Sequence, residues 1–486
     1  MKFTLNKSKY VSILILFSCI YNHNLFAQIS FSPHVEYQTE YATNFCITGD
    51  FNNDSLDDLI SLSKNNGYLM WIFKQHNGQL TFWDTINYAQ TFYGISSLAS
   101  GDLNNDGFSD VVIGYSDSIK IYFQDTIVGF FTNSNCIKYY SGPLTHGIAC
   151  GDLNNDGLND VAVAHWNDEN VNIFYQDINQ SFNVTTYYKK IATNNELIIS
   201  DIDNDGLNDL ILSNGSTISS MNPDGNKYSF AIYIQNDVTN FLNFPIFYAI
   251  DTITPNYWIA NYMDGIAVGD IDNDGLKDIV TTHFSNGYIW KHLSGNPTFF
   301  GFPDTLNTYI NPGPLHISDF NNDGKKEIVI SHSGFSKISL YESNTNYEFS
   351  NYTLFDLWNN TNMEQGMMSV CDLNNDTKLD IITGYNFGSS ILYNTTLVSI
   401  WNEGFLHENY VNIYPNPSQG DFTIDAVTKS NKVALELISA NGVIVFKSNY
   451  SNLDSQRISI KNIDSGLYFI RIIDDGNVFI DKIIIY

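Results

Sequence analysis

Basic side chains are scarce in this chain. Lysine and arginine together number 23 against 52 aspartates and glutamates, a formal net charge of −29. Arginine is rarer still: only Arg457 and Arg471 occur in 486 residues, both near the C-terminus. So acidic a chain does not bind nucleic acid or anionic lipid unaided, and the lack of arginine weighs against anion-handling chemistry upstream. Cysteine is also sparse, at five residues. Cys46, Cys150 and Cys371 each fall in equivalent strands just before an acidic loop. There, and at Cys136, buried free thiols are expected rather than a disulfide framework. Helical periodicity is absent. No apolar run reaches the ~20 residues that a membrane-spanning helix needs. There is no Gly-x-Ser-x-Gly elbow, no His-Glu-x-x-His and no phosphate-cradling loop. The ten histidines are too scattered for a transition-metal site.

Residues 1–27 have the order of a secretory signal peptide. Lys2, Lys7 and Lys9 precede the apolar run Val11–Ile20, and the stretch ends Leu25-Phe26-Ala27. Cleavage after Ala27 leaves Gln28 first, whereas the bulky Phe17 fits lipoprotein processing at Cys19 poorly.

The stretch that organises the chain is Asp152-Leu153-Asn154-Asn155-Asp156-Gly157-Leu158-Asn159-Asp160. It places carboxylates at positions one, five and nine, an amide oxygen at three and a free backbone carbonyl at seven. Five oxygens converging from one tight turn suit a hard divalent cation such as Ca²⁺. One Asn-Asp-Gly turn is ordinary loop chemistry, but this pattern recurs seven times, each with an acid in ninth place. The candidate ligands are Asp50, Asn52, Asp54 and Asp58, then Asp102, Asn104, Asp106 and Asp110. Asp152, Asn154, Asp156 and Asp160 follow, then Asp201, Asp203, Asp205 and Asp209. The last three sets are Asp270, Asp272, Asp274 and Asp278; Asp319, Asn321, Asp323 and Glu327; and Asp372, Asn374, Asp376 and Asp380. Seven such ions would offset nearly half of the net charge.

The loops begin 49–53 residues apart, with one interval of 69 between Asp201 and Asp270. That period suits a propeller blade of four short strands, and 15% aromatic residues favour strands. The longer interval implies an insertion within 215–258. The last unit lacks a strand, which the stretch Ile29–Val35 is expected to supply, closing the ring and covering exposed edges.

The repeats over about 29–400 resemble the FG-GAP, or VCBS, family of calcium-binding β-propellers. The resemblance implies that each loop joins the first and second strands of a blade and that its oxygens bind Ca²⁺. The fourth and fifth loops, with four aspartates each, look strongest. The first and seventh depart, with Ser55 and Thr377 in place of the turn glycine, and Glu327 lengthens the arm in the sixth.

Residues 405–486 read as alternating strands broken by Pro, Asn-Gly and Gly turns, a small β-sandwich. Their ordered motifs, Ile413-Tyr414-Pro415-Asn416-Pro417, Gly466-Leu467-Tyr468-Phe469 and a basic, apolar terminus, resemble the type A C-terminal sorting domain of the type IX secretion system. This implies passage across the outer membrane, with the secretion machinery as partner. The expected whole is an all-β chain: signal peptide 1–27, a seven-bladed propeller over 28–400 and a sorting sandwich over 405–486.

The face opposite the metal loops is expected to collect Tyr93, Tyr115, His146, His165, Trp166, Tyr262, His283, Phe284, His332, Phe335 and Tyr385. Such residues suit a glycan or protein ligand. The leading expectation is therefore an exported, non-enzymatic binding or adhesion module with up to seven structural Ca²⁺ ions. The alternative is a lyase-like, polysaccharide-degrading enzyme on the same propeller.

Overall fold

A computed structural model describes residues 29–39, 43–63, 69–87, 95–115, 117–125, 130–143, 145–165, 170–188, 193–214, 229–237, 240–241, 245–249, 263–283, 286–293, 300–357, 367–385, 388–396, 411–414, 416–426, 432–439, 444–451, 453–461, 463, 465–474 and 477–485. The expected signal peptide lies outside them, as do Tyr93, Trp166, Tyr262, Phe284 and most of the expected insertion. Every regular element among the described residues is a strand. The chain divides into two compact units, Met1–Leu397 and Val398–Tyr486.

The first unit repeats one antiparallel meander. In its second copy the strands are Ile95–Gly101, Asp110–Tyr115, Ser118–Gln124 and Phe131–Tyr140, paired in chain order. Five such four-stranded sheets stand alone. Two further copies fuse into one eight-stranded sheet through the single pair Thr43–Tyr385. We number these copies, or blades, one to seven in chain order. The first strand of each touches the first strand of the next, and that of the seventh (Met368–Cys371) touches that of the first (Thr43–Gly49). The arrangement is a β-propeller.

Burial follows this geometry. Second strands such as Asp160–His165 and Asp278–His283 are buried at every residue, because a sheet sits against each of their faces. Their runs of Val, Ile and Ala therefore do not alternate. Fourth strands are mostly open to solvent, as Phe131–Tyr140 is after its buried first residue. The core lies between neighbouring sheets rather than within any one. Val112, Ile119 and Ile121 of the second blade pack on Ile148, Val161 and Phe174 of the third. Leu59 and Phe73 of the first pack on Leu373, Ile382 and Ile391 of the seventh. Gly269 ends its first strand where an added Cβ would lie 2.8 Å from Ile317 Cγ2 of the next blade, so side-chain bulk there would push neighbouring first strands apart.

The N-terminal segment completes the seventh blade. Val35–Gln38 pairs antiparallel with Gly388–Leu392, and Phe31 bridges Asn394. The pairing strand begins at Val35, later in the chain than the sequence suggested. In the fourth blade an extra hairpin, Gln235–Asp237 with Asn240–Phe241, separates the third and fourth strands.

The second unit holds a three-stranded sheet (Val411–Tyr414, Asp421–Ala426, Leu453–Ser459) and a four-stranded one (Ile444–Tyr450, Val433–Ser439, Gly466–Asp474, Asn477–Ile485). Ile424, Leu435, Ile470 and Ile483 of the two sheets share one core. On the other face of the four-stranded sheet Lys447 and Arg471 cover Glu436, and their hydrogen bonds hold its carboxyl below the usual range.

Candidate metal centres

Each acidic loop joins the first and second strands of its blade, and a network of backbone amides shapes it. The position-one aspartate accepts the N–H of position six in every loop, at 2.7–3.0 Å. The position-five aspartate accepts the N–H of position seven, as Asp106 does from Phe108 at 3.0 Å. Position four is asparagine in all seven loops, with φ between 56° and 59°. Position six is also left-handed: Gly107 to Gly324 in the five regular loops, but Ser55 at 66° and Thr377 at 70° in the first and seventh. Asparagine tolerates that region and glycine occupies it freely, whereas a β-branched residue is strained. Thr377→Gly is therefore expected to stabilise the protein by about 1 kcal/mol, read as a higher denaturant midpoint. A lower midpoint would mean that the threonine side chain contributes more than its backbone strain.

Two features of the loops escaped the sequence reading. Position two is apolar throughout (Phe51, Leu103, Leu153, Ile202, Ile271, Phe320, Leu373) and buried, with 1% exposure or less. It plugs the interface with the following blade, as Leu153 does among Leu197, Leu210 and Leu212. An apolar residue recurring inside a polar run was the available signal. Secondly, the ninth carboxylate has a role in the fold itself. Asp160 accepts Leu153 N at 2.8 Å on one oxygen and Gln176 N, from the third strand, at 2.9 Å on the other. Asp58, Asp110, Asp209, Asp278 and Asp380 repeat this double tie. Glu327 instead holds Phe320 N and Asn321 Nδ2. The ninth acid thus clamps the loop to its sheet, so its recurrence does not by itself require a metal.

Burial dominates the electrostatics. It pushes Asp58, Asp110, Asp160, Asp209, Asp278 and Asp380 up to about 7, against the opposing pull of their amide hydrogen bonds. Glu327 rises to about 9 from the same cause. Carboxylates come closest in the two all-aspartate loops. Ligand oxygens of Asp201, Asp203 and Asp209 lie within 4.8 Å of one another, as do those of Asp270, Asp272 and Asp274. Hard, anionic oxygens so crowded match what Ca²⁺ takes from protein.

On the opposite end, Tyr115, His165, His283, His332 and Tyr385 are all buried, at 8% exposure or less. Each ends a second strand, and there they pack inward. His332 spends Nδ1 on Ile310 O and Nε2 on Ser339 Oγ, and burial lowers it to about 4. The expected array of rings for a ligand is thus not presented by these five. Exposed aromatics lie instead on outer strands, at Phe82, Trp83 and Tyr140. Among the described residues Cys46, Cys136, Cys150 and Cys371 are free thiols, as expected, but only Cys46 and Cys371 are buried, while Cys136 and Cys150 are half-buried.

Comparison with known proteins adds family and fold. The FG-GAP-like repeat family matches residues 50–113 and 319–383, and the secretion system C-terminal sorting domain matches 412–486. No curated protein matches this sequence. Among solved structures, BBS1N, solved in complex with ARL6DN, shares 9% identity at a TM-score of 0.50, covering 77% of this chain and all of that one. PorZ, a surface component of the type IX secretion system of Porphyromonas gingivalis, shares 13% at 0.49, covering 93% of this chain and 60% of PorZ. The Dos1 propeller shares 11% at 0.46, covering 90% and 98%. BBS1N, at 9% identity, speaks to fold alone. No helix among the described residues is long and apolar enough to cross a membrane. The chain therefore carries FG-GAP-like repeats on a β-propeller fold and ends in a type IX sorting domain, the mark of a protein secreted or attached to the cell surface.

Proposed function

We propose that this protein is a seven-bladed, calcium-stabilised propeller that acts outside the cell as a non-enzymatic binding or adhesion module. The convergence of three carboxylates in each of the fourth and fifth loops carries the calcium reading. Like charges so close repel unless a cation sits between them, and ion binding to the native state alone adds stability by mass action. Asp201, Asp203, Asp205 and Asp209, with Asp270, Asp272, Asp274 and Asp278, would hold the best-bound ions. The role is structural, since the loops brace sheet ends.

The ligand we favour is a protein or glycan met by the outer strands. Trp83 is half exposed and Lys74 lies over its ring, an apolar surface with a polar margin. An enzyme is disfavoured because both arginines lie in the C-terminal unit, and Glu436 engages Arg471 there.

Calorimetric titration of the mature protein should show calcium uptake, and Asp201→Ala with Asp270→Ala, which removes the position-one carboxylate that all seven loops share, should remove about two of the tightest ions. A glycan array and a panel of surface proteins, probed with and without chelator, should then yield calcium-dependent binding. Turnover of a polysaccharide without stable binding would reverse the order of the two readings.

A further inference from the structure

The seven loops are not electrostatically alike. In the first, Lys74 of the third strand sets Nζ 3.3 Å from Asp54 Oδ2. In the seventh, Lys378 sets Nζ 3.5 Å from Asp376 Oδ2. Both acids hold position five, and the lysines are only 27% and 22% exposed. These are also the two loops without glycine. Asn52 departs as well. It donates Nδ2 to Asp58 Oδ2 at 2.6 Å, whereas Asn104 and Asn154 donate to the position-five carboxylate at 3.0 Å. A hydrogen-bond donor thus sits against the ninth carboxylate of the first loop, where a cation would need an oxygen.

The sixth loop shares the asparagine contact, Asn321 Nδ2 to Glu327 Oε1 at 3.4 Å, and the lysine positions differ from blade to blade. Register places Ile234 in the fourth blade where Lys74 stands in the first. The fifth has Lys291 there, whose charge reaches Asp272, but that loop keeps four aspartates. Lys325 matches Lys378 in sequence and lies over the Tyr347 ring.

We propose that Lys74 and Lys378 are tethered counter-ions, so that the first and seventh loops take up no divalent cation while the fourth and fifth do. The inference rests on the calcium reading above. A covalently attached ammonium is always present at high effective concentration and no chelator removes it. The placement has a consequence. The first and seventh blades share one sheet through Thr43–Tyr385, and the N-terminal strand joins it. The seam where the ring closes is then held without an external ion.

Calcium titration, with melting in chelator, of the full mature chain tests this. Lys74→Met with Lys378→Met should bind two more Ca²⁺ ions than wild type and melt several degrees lower in chelator. The Lys→Arg pair should behave as wild type in both. Should the methionine variant fail to fold, Asp54→Asn with Asp376→Asn should leave the calcium count unchanged, while Asp205→Asn with Asp274→Asn lowers it. An unaltered count and melting point in the methionine variant, or two ions lost from the Asp54/Asp376 variant, would overturn the proposal. If wild type binds no calcium, the calcium reading fails. Melting in chelator then decides the lysine role: an unshifted methionine variant overturns it, and a lowered one upholds the counter-ions.

Discussion

Replacing Gly388 with valine should prevent the ring from closing. Gly388 opens the third strand of the seventh blade opposite Gln38 of the N-terminal strand. Its φ is 145°, and an added Cβ would fall 2.0 Å from Tyr37 O and 2.9 Å from Gln38 Cα. Both contacts are backbone, so no side chain can swing aside. The clash displaces the four pairs from Val35–Ile391 to Gln38–Gly388 and uncovers a strand edge. It also strains the packing of Ile29, which is 3% exposed in the core between the sixth and seventh blades. We expect a loss on the order of 4 kcal/mol or more, the range of substitutions that break backbone packing. Thermal melting and early proteolysis ahead of residue 40 would report it. Gly388→Ala should move the same way by less. A valine variant that melts with wild type would show that the N-terminal strand is not what closes the propeller.

The second large effect concerns pH in chelator. Six buried aspartates titrate near 7 and Glu327 near 9 in the folded state, against about 4 when unfolded. Raised folded values mean that the native state prefers these groups protonated. Their contribution is fully present below about pH 4 and is lost as pH rises through 7. In chelator, the propeller should therefore melt about 5–10 °C lower at pH 8 than at pH 5, a difference of several kcal/mol for a domain this large. Millimolar Ca²⁺ at pH 8 should restore most of it, because a dication compensates the ionised carboxylates. Flat melting across this range in chelator would mean that the amide hydrogen bonds already satisfy the ionised acids.

Much of the fold was legible because it repeats. The interval near fifty residues and the Asn-Asp-Gly turns each carry local physics. A strand missing at one end and spare at the other pointed to the pairing of Val35–Gln38 with Gly388–Leu392. The sorting tail was legible from ordered motifs alone. The candidate ligands were legible by type, but the ninth acid was read for only one of its roles. Its bonds to Gln75, Gln124 and Gln176 reach residues 14–17 positions away, which no local pattern announces.

The aromatic face failed for a related reason. Tyr115, His165 and His332 are expected from the sequence on the face opposite the metal loops, but spacing places a residue at one end of a blade without saying which way it points. They are the last residues of second strands, where each first strand carries a bulge opposite them, and packing turns them inward.

Sequence by itself determined the strand content, the recurring acidic turns and the export tail, since these depend on backbone preference and residue type over short spans. Tertiary structure alone decided which carboxylates meet, which lysines lie beside them and which rings remain exposed. Burial and charge pairing are properties of neighbours brought together from distant parts of the chain.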